Sequence, residues 1–253
     1  MKSNDLILDC SSVDAAAESL CGLLGLLRAD LDSKVADIDV DWNHDSSSPE
    51  DQVLIQFGVD PNAPPAPTAM RWFHATRALP GTTFAEGLLP TGAALPKMWE
   101  ALGTCARRWL SDAAWVEYQQ SFTSANRQFA AQFRHKRMAP GWEGPFGFLV
   151  KDAALQKHNS HKDFTRLCET MEDICADFEE VHGFPLRQAY EEVSRPCLVV
   201  FRSLGARHGT VKAAANYVFR SLRGIECGLH CNTNFSGEGK PAPSSQIDGV
   251  EWL

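Results

Sequence analysis

The sequence predicts an α+β fold, and three observations carry that expectation. Long stretches repeat apolar residues at helical spacing, as in Leu20, Leu23, Leu24 and Leu27. One short run, RPCLVVFRS (195–203), is apolar, β-branched and bounded by Pro196 and Gly205. Gly and Pro punctuate the chain between such segments, and no repeat recurs along its 253 residues.

In order, residues 14–31 read as an amphipathic helix with Asp14 as N-cap. Asp41 to Asp51 is a polar loop, and Val53 to Phe57 a short strand candidate. Residues 61–67 hold four prolines, too many for a helix or a central strand, so they read as a stiff connector. That places an N-terminal segment at 1–60 and a second domain at 68–253. MRWFHATRA (70–78) is a strand candidate ended by Pro80-Gly81, and TTFAEGLLP one helical turn ending at Gly87. From 96 to 137 the pattern is helical: Trp99, Leu102, Trp109 and Leu110 form one apolar series, and Trp115, Tyr118, Phe122, Phe129 and Phe133 a second. Pro140 and Gly141 stop it. GPFGFLV (144–150) is a strand candidate, and 161–193 is helical with a break at Gly183 and Pro185. Thr210 caps a helix that Gly224 ends. IECGLHCN (225–232) and QIDGVEWL (246–253) are the last β-like pieces.

Composition excludes several classes. Apolar residues at 44% and charged residues at 22% suit a packed domain and not a disordered tail. No apolar run approaches the ~20 residues that span a bilayer, so no membrane association is expected. The first ten residues lack the basic start and long apolar centre of a signal peptide. The eight cysteines are scattered, so reduced thiols in a cytoplasmic protein are expected. A net charge of −8 disfavours passive coating of a nucleic acid.

Phosphate-loop and nucleophile-elbow motifs are absent: no GxxxxGK[ST], GxGxxG or GxSxG occurs. Cys227, His230 and Cys231 lie close together and His158 and His161 form an HxxH, but four spaced ligands are wanted for zinc, and no metal is expected. Cys168 and Cys175, one heptad apart, read as inward-facing small hydrophobes. Arg107, Arg108, Arg127, Arg134, His135, Lys136 and Arg137 interleave with Trp115, Phe122, Phe129 and Phe133. They read as a solvated helix face over an apolar core, with an RNA- or DNA-binding face as the rival. His74 sits late in a strand, with Thr76 on the same face.

The stretch FHATRALPGTTFAEGLLP resembles the first conserved segment of the ADP-ribosyltransferase superfamily, of the diphtheria-toxin and poly(ADP-ribose) polymerase type. The matching residues are Phe73, His74, Thr76, Arg77, Gly87, Leu88 and Pro90. WEGPFGFLVKDAA is similar to that family's second strand, with Phe146 or Phe148 where tyrosine is common. Glu226, followed by PAPSSQIDGV, has the order of its late glutamate strand, with Glu251 and Glu238 as rivals.

The resemblance implies a split antiparallel β core with NAD in a cleft between two small sheets. The region 96–140 would be a helical insertion longer than in the minimal toxins. By that likeness His74 would donate to the nicotinamide-side ribose hydroxyl, Thr76 would support the strand, and Phe146 or Phe148 would stack on nicotinamide. Glu226 or Glu251 would hold the other ribose hydroxyl and polarise the bond to nicotinamide, with Arg77 a phosphate donor. Such a carboxylate stabilises the positive charge that develops on ribose in the transition state. The implied function is an NAD-dependent ADP-ribosyltransferase acting on a protein or nucleic acid, as a bacterial toxin or phage-defence effector with an antitoxin or inhibitor protein as a partner. The alternative is a non-catalytic interaction protein on a degenerate form of the same fold.

Overall fold

The computed structural model describes residues 6–39, 48–138, 143–155, 163, 165–205 and 207–253. The fold is mixed α and β. In chain order the elements are β1 (Ile7–Leu8), α1 (Val13–Leu24), α2 (Arg28–Asp37), α3 (Pro49–Gln56) and β2 (Ala69–Ala78). Three helices follow, α4 (Thr91–Ala106), α5 (Asp112–Ser124) and α6 (Gln128–Met138), then β3 (Phe146–Phe148), α7 (Lys151–Ala154), α8 (Glu169–His182) and α9 (Leu186–Val193). The chain ends with β4 (Arg195–Leu204), α10 (Thr210–Leu222), β5 (Asn234–Ser236) and β6 (Ile247–Trp252). Short 3-10 turns occupy Leu229–Cys231 and Ser244–Gln246.

Five strands follow the order β5-β3-β2-β4-β6, and β1 also pairs with β2. The β1–β2 pair is parallel, Ile7 opposite Ala69, and β2–β3 is antiparallel, Phe73 opposite Phe148. The described strands thus join one sheet, not the two separate sheets that the resemblance implies. No helix among the described residues is long and apolar enough to cross a membrane.

The chain divides into two compact units, and the division falls within β2, β3 and β4. The first comprises 1–74, 147–156 and 200–235. There α10 packs on α1, α2 and α3, burying Val211, Ala214, Val218 and Phe219. Both sides of the proline-rich stretch belong to this unit. The second comprises 75–146, 157–199 and 236–253. Its core is aromatic: Trp99, Trp115, Tyr118, Phe122, Phe133 and Phe178 pack together, and α6 packs on α8 and α4 on α9.

Several expectations need correction. The helix expected over 14–31 is two, because Gly25 takes φ +66 and ends α1. Its cap is Ser12, which accepts from the Ala15 N–H, and Asp14 lies in the first turn. Val53 to Phe57 is no strand: Ser48 caps and Pro49 opens α3, and that start signal outweighs the β-branched run. TTFAEGLLP makes turns without a helix, since Phe84 and Gly87 both have positive φ. Gly209, at φ +78, precedes α10, while Thr210 is its first residue and donates to the Arg207 carbonyl. IECGLHCN is not a strand but ends in a 3-10 turn. Cys175 is buried as expected, whereas Cys168 is exposed at the start of α8. Pro140 and Gly141 lie outside the described residues.

Candidate functional site

Strand alternation decides what accompanies His74. Along β2, Met70, Trp72 and His74 share one face, and Arg71 and Phe73 the other. Met70, Trp72 and Phe73 are fully buried, and His74 is only partly so. Trp72 Nε1 donates to Ser203 Oγ at 2.8 Å, and its ring lies 5.6 Å from that of Phe235. Phe201 meets Phe235 edge-on at 5.1 Å. A Cβ at Gly147 would stand 2.9 Å from the Phe201 ring, so this face has no room for a side chain at 147. The Arg207 guanidinium lies 4.2 Å over Phe235.

Because Phe73 and Phe148 are directly opposite partners, Phe148 projects with Phe73, away from the His74 face. Phe146, two positions earlier in β3, shares the face of Phe148 and is exposed. The register therefore separates the imidazole from the ring that the resemblance pairs with it. Glu226 is exposed and outside any strand; its backbone carbonyl accepts from Arg220 Nη1 at 2.8 Å. The late strand between α10 and the proline-containing loop is β5, and it opens on Asn234.

In the second unit, Thr76 is partly buried in β2. Arg77 Nη1 donates to the carbonyls of Ser194 (2.7 Å) and Glu191 (3.0 Å), closing the C-terminal end of α9. Tyr190, whose phenol burial pushes up to about 12, donates to the Arg77 carbonyl at 3.3 Å. Arg77 thus has a structural task at this end of α9. Glu251 is exposed in β6, and Glu238 is exposed in the turn after β5 at φ +52.

The GLLP and PAP segments do meet. Leu88 N–H donates to the Ala242 carbonyl at 2.9 Å, and Ala242 N–H to the Leu88 carbonyl at 3.0 Å. Gly87 makes this possible: its φ is +83, and a Cβ there would fall 2.1 Å from the Ala242 oxygen. A cavity of about 290 Å³ lies nearby in sequence, lined by Pro80, Gly81, Thr82, Thr83, Arg195 and Trp252. None of the sequence-predicted site residues lines it.

The arginines and the lysine of the basic set on the helical region have partners. Arg107 bonds Asp112, Arg108 bonds Glu192, Arg127 bonds Asp177 and Lys136 bonds Asp173, all at 2.7–2.8 Å. Arg134 donates to the Ala125 carbonyl, and Arg137 lies 5.6 Å over Phe133. With Trp115, Phe122 and Phe133 buried, packing accounts for the aromatic spacing. Among the described residues no three His, Cys, Asp or Glu side chains are gathered as a metal needs. His158 and His161 lie outside the described residues.

Compared with known proteins, the chain matches no family model, no curated protein and no solved structure.

Proposed function

We propose that the chain is an NAD-dependent ADP-ribosyltransferase acting on a macromolecule, built on an ADP-ribosyltransferase-like core whose sheet is joined and whose α4–α6 region is the insertion. The observation that supports this reading most is His74: a partly exposed imidazole late in the long strand β2, with Thr76 next on its face and the Gly87-Leu88 turn held against Ala242. In this reading His74 donates to a ribose hydroxyl of NAD. The bond between ribose C1′ and nicotinamide breaks, nicotinamide leaves with the bonding pair, and a nucleophile of the acceptor bonds to C1′ and gives up its proton. Glu226 and Glu251 remain the candidate carboxylates for the positive ribose.

A second reading, nucleotide binding without turnover, is favoured by two observations. Phe148 projects away from the His74 face, and β5 opens on Asn234 where the resemblance asks for a glutamate. One experiment separates the two. NAD at a hundred times its dissociation constant should stabilise the protein by about 2.7 kcal/mol, read as a rise in Tm that His74→Ala abolishes. Nicotinamide release alongside that shift supports the transferase, and a shift without release supports the second reading. Absence of any shift at millimolar NAD overturns both.

A further inference from the structure

The cavity of about 290 Å³ lies wholly within the second unit, where the turn after β2, the start of β4 and the end of β6 come together. Arg195 opens β4 and Trp252 closes β6, and the Leu253 N–H donates to the Pro196 carbonyl at 3.0 Å, which keeps the two positions adjacent. The Arg195 guanidinium lies 5.9 Å from the centre of the Trp252 ring, at the outer limit of a cation–π contact. Such a contact orients the cation but leaves its charge and its N–H donors unspent. Among the described residues Arg195 has no ion pair, whereas Arg107, Arg108, Arg127 and Arg166 each meet a carboxylate. Another wall is the turn itself. Gly81, at φ +87, reverses the chain, and Thr82 fastens it: its N–H and its hydroxyl both donate to the Leu79 carbonyl, at 3.1 and 2.8 Å. The Thr82 hydroxyl hydrogen is thereby committed, while the Thr83 hydroxyl has no hydrogen-bond partner among the described residues. No acidic side chain among the described residues lines the cavity. Glu251 projects from the opposite face of β6 to Trp252, and Asp248, on the Trp252 face, is four residues back along the strand.

We infer that this cavity binds a small organic anion with a flat ring, its acidic group on Arg195 and Thr83 and its ring against Trp252 and Pro80. The lining supplies one cation, one indole, two hydroxyls and a proline, so a negative charge is the one feature that it lacks and can reward. The planar fork of the guanidinium matches two oxygens of a carboxylate or of a phosphate monoester, and the Thr83 hydroxyl adds a neutral donor. Trp252 offers apolar ring surface, on which an aromatic ligand packs better than an aliphatic one. The volume stands at the small end of the ~300–1,000 Å³ usual for ligand pockets, which suits one ring with its acidic group. A cation is repelled by Arg195, and a neutral ring leaves the guanidinium unanswered.

The site uses no residue of the NAD reading, and Arg195→Gln should leave any NAD-dependent rise in Tm unchanged. The test follows the Trp252 indole N–H in proton–nitrogen correlation spectra of the full chain, assigned among the seven tryptophans as the signal that Trp252→Phe removes. Benzoate and phenyl phosphate, each titrated into the millimolar range, are the probes. At least one should shift that signal saturably, and which one does so separates a carboxylate ligand from a phosphate monoester. Arg195→Gln should raise the Kd about tenfold, the worth of a hydrogen bond between charged groups, and Arg195→Lys should restore part of the loss. Benzamide, with the ring and no charge, should leave the signal unmoved. Cyclohexanecarboxylate, with the charge and no flat ring, should bind several-fold more weakly than benzoate. The inference is overturned if neither probe moves the signal, if benzamide binds as well as benzoate, or if Arg195→Gln binds the anions as the wild type does. Arg195 is exposed, so its replacement removes no packed side chain, and calorimetry on wild type and Arg195→Gln gives the same comparison where Trp252→Phe fails to fold.

Discussion

Arg127 grips Asp177 with two parallel bonds, Nε to Oδ1 at 2.8 Å and Nη2 to Oδ2 at 2.7 Å, although fifty residues separate them in the chain. The Asp177 side chain is fully buried, and the Tyr118 hydroxyl shares its only hydrogen between Oδ2 (3.2 Å) and the Ile174 carbonyl (3.0 Å). Removing the guanidinium strands a carboxylate in the aromatic core of the second unit. Arg127→Met should therefore cost about 3–5 kcal/mol in urea unfolding, while Arg127→Met with Asp177→Leu should recover much of it. Equal losses in the single and double variants would show that the buried charge is not the source of the cost.

Gly87 should tolerate replacement far worse than Gly25. Both have positive φ, but a Cβ at 25 meets nothing within 4 Å, whereas one at 87 collides with the Ala242 carbonyl. Gly25→Ala should cost about 1 kcal/mol, the strain of a left-handed alanine. Gly87→Ala adds a displacement of the Leu88–Ala242 bridge and should cost several-fold more. Denaturant midpoints of the two variants test the ordering, and parity between them would contradict it.

Such features explain what the sequence discloses. The aromatic series around Trp115, Tyr118 and Phe122 is legible because helical periodicity is local, and those residues are core. RPCLVVFRS is legible because its strand is long and buried. Val53 to Phe57 misleads because β-branched residues in a short run fit either state, and only the Ser48-Pro49 start decides. The partial exposure of His74 is not legible in the alternation of β2, because Met70 and Trp72 on the same face are fully buried. Nor is its relation to Phe148, because β3 has three residues and a one-residue shift in pairing would reverse every side chain. Arg77 is hidden for a similar reason: its partners at Glu191 and Ser194 are distant in sequence.

His182 should impose an acid-side loss of stability. Its ring lies 4.7 Å from Phe178 and 5.3 Å from Tyr118, and its Nε2 finds no hydrogen-bond partner among the described residues. Burial, then the positive Arg127, holds the imidazole below its ordinary value of 6.5, only partly offset by Asp177. The unfolded chain thus takes up the proton first. Stability contributed by the neutral ring is full above 6.5 and falls as pH drops from there towards the folded-state value. His182→Phe keeps the ring contacts and should flatten this part of the profile, measured as the difference between wild-type and variant unfolding free energies from pH 7 to 5. A difference independent of pH would count against the assignment.

The bond between Trp72 and Ser203 ties β2 to β4 beside His74 and can be weighed by a double-mutant cycle. Ser203 is 7% exposed and Trp72 fully buried, so Ser203→Ala leaves an indole N–H without its acceptor and should cost about 1–3 kcal/mol. Trp72→Phe removes the donor and part of the ring that packs on Phe235, so it should cost more, through the space left as well as the lost bond. Once the indole is gone, Ser203→Ala has less to lose, and the double variant should be more stable than the sum of the two losses predicts by about 1 kcal/mol. Additive losses in urea unfolding would mean that the hydroxyl stabilises β4 by some route other than Trp72, and that the rigidity of the strand under His74 comes from packing alone.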